Sequence, residues 1–223
     1  MPSSLVVPTV IAVVFSTLVL TGCSSPAPAV TPEGTETSAT ASPETMPTPE
    51  PVAEPALITI AATGLTVTDA ASDVLLQVGY SDDSDTVVAQ LSEVLGESPT
   101  AMVEGGGACS VEQTITSWGG LRLRDPAGFA AGPGAAFTVG AEALTTAGGV
   151  SIVASAGFAV GDPLASALAL SGVSSVDYGD FVTVYSDLQG PSFDDPSAWG
   201  VYGSTTSGVI ERYSAPVYFN YDC

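Results

Sequence analysis

The chain has no histidine and no lysine, and arginine supplies its only positively charged side chains. Its 223 residues include three arginines against 24 aspartates and glutamates, so the formal net charge is −21 at pH 7. A nucleic-acid-binding protein needs a basic surface, which this composition does not supply. Without histidine or lysine there is also no Ser-His-Asp triad, no Schiff base and no histidine-ligated zinc. Carboxylate chemistry, metal sites built from oxygen and non-covalent binding remain.

A short apolar segment near the N-terminus predicts where the protein is found. Residues 6–20 are almost wholly apolar, but a permanent membrane helix needs about 20 such residues. Their length is instead typical of the apolar part of a secretory signal. Residues 1–5 carry no Lys or Arg, so either the free amino group provides the usual positive charge or the true start lies upstream.

The segment ends in Leu20-Thr21-Gly22-Cys23, which resembles the bacterial lipobox. The resemblance implies a signal peptide over residues 1–22, cleavage after Gly22 and a lipid on Cys23. The protein is then held by that lipid on the extracytoplasmic face of the cell membrane. The alternative is an uncleaved anchor in which Cys23 is an ordinary thiol.

Residues 23–56 comprise this cysteine and a linker. Residues 24–56 hold eight of the chain's 17 prolines, with repeated Thr, Ser and Glu and no aromatic residue, Leu or Ile. Such a segment buries too little apolar surface to offset the entropy of ordering it, so we expect a disordered spacer. O-glycosylation of its Thr- and Pro-rich positions is a sharper alternative.

Residues 57–223 are expected to form one extracytoplasmic domain. Three arginines and nineteen carboxylates give this part a formal charge of −16. Its two cysteines, Cys109 and Cys223, lie in an oxidising compartment if the lipobox is genuine, and disulfides persist there. We therefore predict a Cys109–Cys223 disulfide, with two free thiols as the alternative.

The domain is predicted to be α+β, mostly antiparallel sheet with two helices. The first helix is expected to begin at Asp82 and to end at Gly96, and the second to begin at Asp162 and end at Gly172. Both follow a glycine–aromatic pair, which suggests a tandem repeat, although the likeness can also be coincidence. The predicted strands cover residues 57–60, 65–68, 74–80, 120–124, 137–139, 150–153, 181–185, 208–213 and 216–220.

The order of these motifs carries two family resemblances. It runs from lipobox and Pro/Thr linker to a helix ending Val94-Leu95-Gly96-Glu97, then Gly106-Gly107-Ala108-Cys109 and Ser117-Trp118-Gly119-Gly120-Leu121. This order resembles that of uncharacterised small lipoproteins of high-GC Gram-positive bacteria, which brings no known activity. The pattern of residues around the predicted helices is also similar to that of tandem β-lactamase-inhibitor-like α+β modules, which would imply protein partners. No binding residues carry over from either.

Few residues suggest a particular chemistry. Asp82, Asp83 and Asp85 are close together but lack the spacing of a calcium loop, and helix capping accounts for them. No metal or cofactor is expected.

Six of the seven tyrosines follow residue 170, where they form either a binding face or ordinary cross-strand packing. Trp118 and Trp199 are expected in the core. The arginines are expected in structural ion pairs. The six tyrosines that follow residue 170 are Tyr178, Tyr185, Tyr202, Tyr213, Tyr218 and Tyr221.

The sequence therefore predicts a lipid-anchored envelope protein that binds a protein or glycan without catalysis. The alternative is a hydrolase of cell-wall glycan that uses paired carboxylates, although nothing in the sequence selects a pair among nineteen. A purely structural role in the envelope is a third possibility.

The lipid anchor can be tested directly. Replacing Cys23 with Ala removes the thiol that would carry the lipid, so the variant should leave the membrane fraction on cell fractionation. Retention of Cys23→Ala in the membrane would show that the apolar segment itself is the anchor.

Overall fold

The fold is described from a computed structural model of the chain. It describes residues 53–107, 111–128, 130–192 and 195–219. These residues belong to one structural unit, which runs from Pro49 to Cys223. The signal segment, Cys23, most of the linker, Cys109 and Cys223 lie outside the described residues, so the lipid anchor and the disulfide stay predictions.

The described residues form twelve strands and two helices, which confirms the predicted α+β class with mostly antiparallel sheet. The strands are β1 Pro55–Ile60, β2 Gly64–Asp69, β3 Val74–Gly79, β4 Thr100–Glu104, β5 Gln113–Trp118, β6 Leu121–Asp125, β7 Thr138–Ala141, β8 Ser151–Ala154, β9 Ser174–Asp177, β10 Val182–Gln189, β11 Trp199–Thr205 and β12 Arg212–Tyr218. The helices are α1 Ser84–Leu95 and α2 Leu164–Leu168. The first strand begins two residues before the predicted start of the domain.

The strands form a small and a large sheet. The small sheet has the order β3-β2-β1-β8, and β8 runs parallel to β1. The large sheet has the order β4-β5-β6-β7-β12-β11-β10-β9. Its first four strands follow α1 and its last four follow α2, and each group is a meander of consecutive antiparallel strands. The two meanders meet at β7 and β12, so the large sheet has a two-fold arrangement like that expected of a tandem repeat.

One face of the large sheet packs on the small sheet and the helices. Ile58 and Leu65 from the small sheet and Leu91 from α1 join Leu123 and Val201 of the large sheet in one buried cluster. Strand alternation places Leu121 and Leu123 on this face and Arg122 and Arg124 on the other, as the sequence predicted. Trp118 is buried as expected, and its indole N–H donates to Ser92 Oγ on α1.

Helix α1 closely follows its predicted pattern. Val87, Leu91 and Leu95 are buried on one face, and Gly96 ends the helix with φ +65°, a left-handed conformation that glycine adopts without strain. The predicted N-cap was wrong by one residue. Asp83, not Asp82, accepts the Thr86 N–H at 2.9 Å and begins the helix.

Asp82 instead closes a turn that recurs in the second half. Its carboxylate accepts the Gly79 N–H at 2.7 Å, and Asp162 accepts the Ala159 N–H in the same way at 2.8 Å. Asp162 is therefore not the N-cap of α2. That helix starts after Pro163 and ends at Leu168, four residues before the predicted Gly172. Because both turns lead into a helix and then a meander, they support the tandem arrangement.

The burial of Leu91 in this core predicts a large loss of stability when its side chain is shortened. Leu91 is 0% exposed, and Leu91→Ala should lower the free energy of unfolding by about 2–5 kcal/mol because it leaves a cavity between α1 and the sheets. Leu144 is 53% exposed, so Leu144→Ala is the matched control and should change stability by less than about 0.5 kcal/mol. Equal losses in urea unfolding of the two variants would contradict the described core.

Candidate functional site

The outer face of the large sheet, opposite the core, carries the candidate site. Directly paired residues on neighbouring antiparallel strands project from the same face. One such row crosses the whole sheet, one residue from each strand. The row reads Thr100, Ser117, Arg122, Gly140, Ser214, Tyr202, Tyr185 and Ser174. Arginine from the first meander and tyrosine from the second are thereby brought onto one surface.

All three arginines of the chain lie on this face. Arg122 and Arg124 are on β6, and Arg212 is at the start of β12. Glu142, just after β7, ion-pairs with both β6 arginines, at 2.8 Å to Arg122 and 3.1 Å to Arg124. The Nε–H of Arg212 donates to Ser204 Oγ at 3.2 Å. Within the part of the chain that the structure describes, Arg212 has no carboxylate within ion-pairing distance.

A central pocket of about 280 Å³ separates Arg124 from Arg212. Thr138, Gly140, Tyr202 and Ser214 contribute to its wall. Gly140 leaves the space open, because a Cβ there would lie 2.8 Å from the Tyr213 carbonyl oxygen and 3.4 Å from the Arg124 guanidinium. The missing side chain in the middle of β7 therefore creates the pocket.

An aromatic cleft of about 530 Å³ adjoins the central pocket, and Tyr202 and Ser214 line both. At its outer end Tyr178 and Phe181 are stacked, with ring centroids 5.0 Å apart. Deeper in the cleft, Tyr185 packs edge-on against Tyr202 at 5.6 Å. Tyr178 is 52% and Phe181 39% exposed, so the cleft presents flat rings to solvent on a base of buried ones.

Burial keeps two phenols deep in the cleft, those of Tyr185 and Tyr202, neutral at physiological pH. Burial raises the pKa of Tyr185 above the usual tyrosine range, and burial also raises that of Tyr202. Arg212 lines the same pocket as Tyr202, and its positive charge acts on the Tyr202 pKa in the opposite direction. The hydroxyl of Tyr185 accepts a hydrogen bond from Thr183 Oγ1 at 2.8 Å. The cleft therefore offers aromatic rings and these neutral hydroxyls beside a basic strip, which is formed by Arg122, Arg124 and Arg212.

The late tyrosines that the structure describes lie in two places, and Tyr185 and Tyr202 form a cross-strand pair of the kind predicted. Tyr213 is buried in the core against Phe158, at 5.3 Å between ring centroids. Tyr178, Tyr185, Tyr202 and Tyr218 line the cleft. Tyr221 lies outside the described residues. Phe181, Glu142 and Gly140 were not predicted as site residues, since none of them belongs to a motif and only the tertiary structure brings them to this face.

Other residues singled out from the sequence serve the fold. Trp199 is partly buried over Gly132 rather than in the main cluster. Asp82 and Asp83 bond to the Gly79 and Thr86 amides, and Asp85 lies in the first turn of α1. Among the described residues, no group of three or more acidic or sulfur side chains is arranged to hold a metal ion.

A third cavity, of about 480 Å³, lies beside Asp187 on β10. This residue has φ +54°, and its Oδ2 accepts the Ala62 N–H at 2.6 Å and the Ser155 hydroxyl at 3.2 Å. Gln189 donates to the other carboxylate oxygen at 3.1 Å. Since both oxygens are engaged by the protein, Asp187 acts as a clamp between the small sheet and β10.

Comparison with protein-family models, with curated proteins and with solved structures found no match for this chain. Nor does any helix among the described residues have the length and apolar character needed to cross a membrane.

The turn beside Arg212 makes a prediction about pH. Hydrogen bonds from the Thr206 hydroxyl and amide and from Ser207 lower the pKa of Glu211 to about 2, from an ordinary value of 4.5. The ionised carboxylate therefore stabilises the fold above about pH 4.5, and this contribution is lost as the pH falls from there towards 2. In urea unfolding, wild type should exceed Glu211→Gln in stability at pH 7, and the difference should shrink over that window.

The variant Thr206→Val with Ser207→Ala provides the control, since it removes the two hydroxyl donors and keeps the carboxylate. Its stability difference from wild type should shrink over the same pH window. A difference that stays constant from pH 7 to pH 2 for both variants would contradict the assignment.

Proposed function

We propose that the protein is a non-catalytic binding module that engages a protein partner through the outer face of its large sheet. The single observation that carries this proposal is the union of the aromatic cleft with the chain's three arginines on one exposed face. Tyrosine and arginine are the residue types that contribute most to binding energy at protein interfaces.

The composition of this face differs from that of the rest of the chain. Nineteen of the 24 carboxylates fall in residues 57–223, yet of the described residues that line the cleft and the central pocket only Glu142 is acidic. Interface centres are depleted in Asp, Glu and Lys and enriched in aromatic residues and Arg. A surface selected only for solubility in so acidic a chain would carry more carboxylates.

Rigidity also favours binding. Deep in the cleft, Tyr185 on β10 and Tyr202 on β11 are paired across neighbouring strands, and their rings pack on one another before any partner arrives. At its mouth, Tyr178 and Phe181 lie in the turn between β9 and β10, where the Tyr178 N–H donates to the Phe181 carbonyl and the two rings stack. Ordering flexible side chains costs free energy on association, so a preorganised face gains affinity from each contact. Tyr and Phe have few rotatable bonds, which keeps that cost small.

The same geometry argues against the hydrolase alternative at this face. Glycoside hydrolysis by the usual mechanism needs two carboxylates, one acid and one base or nucleophile. The described lining supplies Glu142 alone, and two arginines already engage both of its oxygens. No observation on the described residues favours catalysis over binding.

The proposal includes the position of the module. The lipobox and the Pro/Thr linker support attachment by lipid on Cys23 and display outside the cytoplasmic membrane, at the end of a spacer. An exposed rigid face on such a tether would meet partners in the cell envelope.

Capture from crosslinked envelopes tests the proposal. Wild type should retain a discrete partner, and the double variant Tyr178→Ser with Phe181→Ser should lose most of it, because these exposed rings form the mouth of the cleft. The measurement is the amount of the crosslinked species by mass spectrometry and gel analysis.

The matched control is Val74→Ser with Leu144→Ser, which removes two exposed apolar side chains elsewhere, 59% and 53% accessible. It should capture the partner as wild type does. Equal capture by both double variants would place binding outside this face. Release of reducing sugar from purified wall glycan would instead support the hydrolase.

A further inference from the structure

We propose that the central pocket of the outer face binds a single carboxylate side chain of the partner, between Arg124 and Arg212. This inference deepens the proposed function and rests on it. The partner's chemistry follows from the pocket: an acidic residue flanked by apolar or aromatic side chains, on a protein that is not itself strongly acidic.

The arginines provide more positive charge than the protein uses. Glu142 is shared by Arg122 and Arg124, and Arg212 donates to Ser204 Oγ, so three guanidinium groups face one carboxylate. Arg122 Nε is buried and without a hydrogen-bond partner within the described part of the chain. The strip therefore keeps a formal surplus of two positive charges in a chain of net charge −21.

The shape of the pocket suits a small planar anion. Its volume is about 280 Å³, and the bare Gly140 leaves room next to the Arg124 guanidinium. Thr138 and Ser214 add hydroxyl groups to the wall. A guanidinium offers paired N–H donors that match the two oxygens of a carboxylate, and such charge-assisted bonds are the strong ones.

The aromatic cleft beside the pocket favours a partner with an apolar side chain next to its carboxylate. Tyr202 and Ser214 line both the pocket and the aromatic cleft, so a carboxylate in the pocket lies next to the rings. A side chain one or two positions away in the partner would then contact Tyr185 and Tyr202. The site thus recognises an acid in an apolar setting rather than an isolated charge.

The negative net charge of the domain excludes polyanions as binding partners. A domain with a formal charge of −16 repels a large acidic polymer at long range, while the positive strip acts only within a Debye length of about 8 Å at physiological salt. One carboxylate on a neutral or basic protein is attracted by the nearby arginines, and that protein is not repelled by the negative charge of the whole domain. Nucleic acid and acidic wall polymers do not meet this condition.

The experiment uses two matched peptides, acetyl-Phe-Glu-Phe-amide and acetyl-Phe-Gln-Phe-amide, titrated into the ¹⁵N-labelled whole chain. With only three arginines, each Nε–H signal can be followed by NMR. The Glu peptide should shift the Arg124 and Arg212 signals, and the Gln peptide should bind about tenfold more weakly because it lacks the charge-assisted bonds. Arg212→Gln and Arg124→Gln should each weaken the Glu peptide to the level of the Gln peptide.

Glu93→Gln is the control, since it also changes the charge by one unit but lies exposed on α1, outside the pocket lining, and it should keep the affinity of wild type. Equal binding of the two peptides, or unchanged binding by Arg212→Gln, would overturn the proposal. Inorganic phosphate is the second arm: tighter binding of phosphate than of the Glu peptide would assign the pocket to a phosphate group instead. Peptide binding without capture of an envelope partner would support the carboxylate-binding pocket and contradict the proposed function.

Discussion

The antiparallel pairing of β7 with β12 is the contact on which the outer face depends. It matches Ser214 with Gly140 and Ala215 with Val139, and so joins the meander that follows α1 to the one that follows α2. Without this pairing the chain would present two separate four-stranded sheets. With it, a row of residues runs unbroken from the arginines of β6 to the tyrosines of β10 and β11. The site is therefore a product of the join between two similar halves rather than of either half.

Small residues at this join determine what the face can bind. Gly140 keeps the middle of β7 bare, so the Arg124 guanidinium lies over backbone and a pocket opens beside Ser214. Gly200 has a similar effect on β11, since a Cβ there would lie 2.6 Å from the Phe219 ring, which packs against Tyr185. Bulky residues pointing inwards hold the sheet on its core, and small residues pointing outwards shape the cleft and the pocket.

How well the elements could be predicted depended on how local their signals are. Helix α1 combines apolar residues at helical spacing with a left-handed Gly96, and both are local, so only the N-cap was misplaced. Strands β4, β5, β9 and β11 went unpredicted, because β9 and β11 are rich in Ser, Thr and Gly and all four depend on their neighbours. The predicted strand over residues 208–213 was largely wrong. Gly208, with φ +84°, belongs to the turn whose hydroxyl groups bind Glu211, and β12 begins only at Arg212.

Composition alone determined what chemistry the protein lacks, because a chain without histidine or lysine cannot perform reactions that need those side chains wherever they would lie. Local pattern determined the fold class and the alternation that separates Leu123 from Arg124, and it predicts the lipid anchor at Cys23. Only the tertiary structure decided which of the late tyrosines form a surface and that Arg212 lies near Arg124. The physical reason is that these residues are far apart in the chain. Their proximity comes from cross-strand register, which many weak contacts in the whole sheet set together.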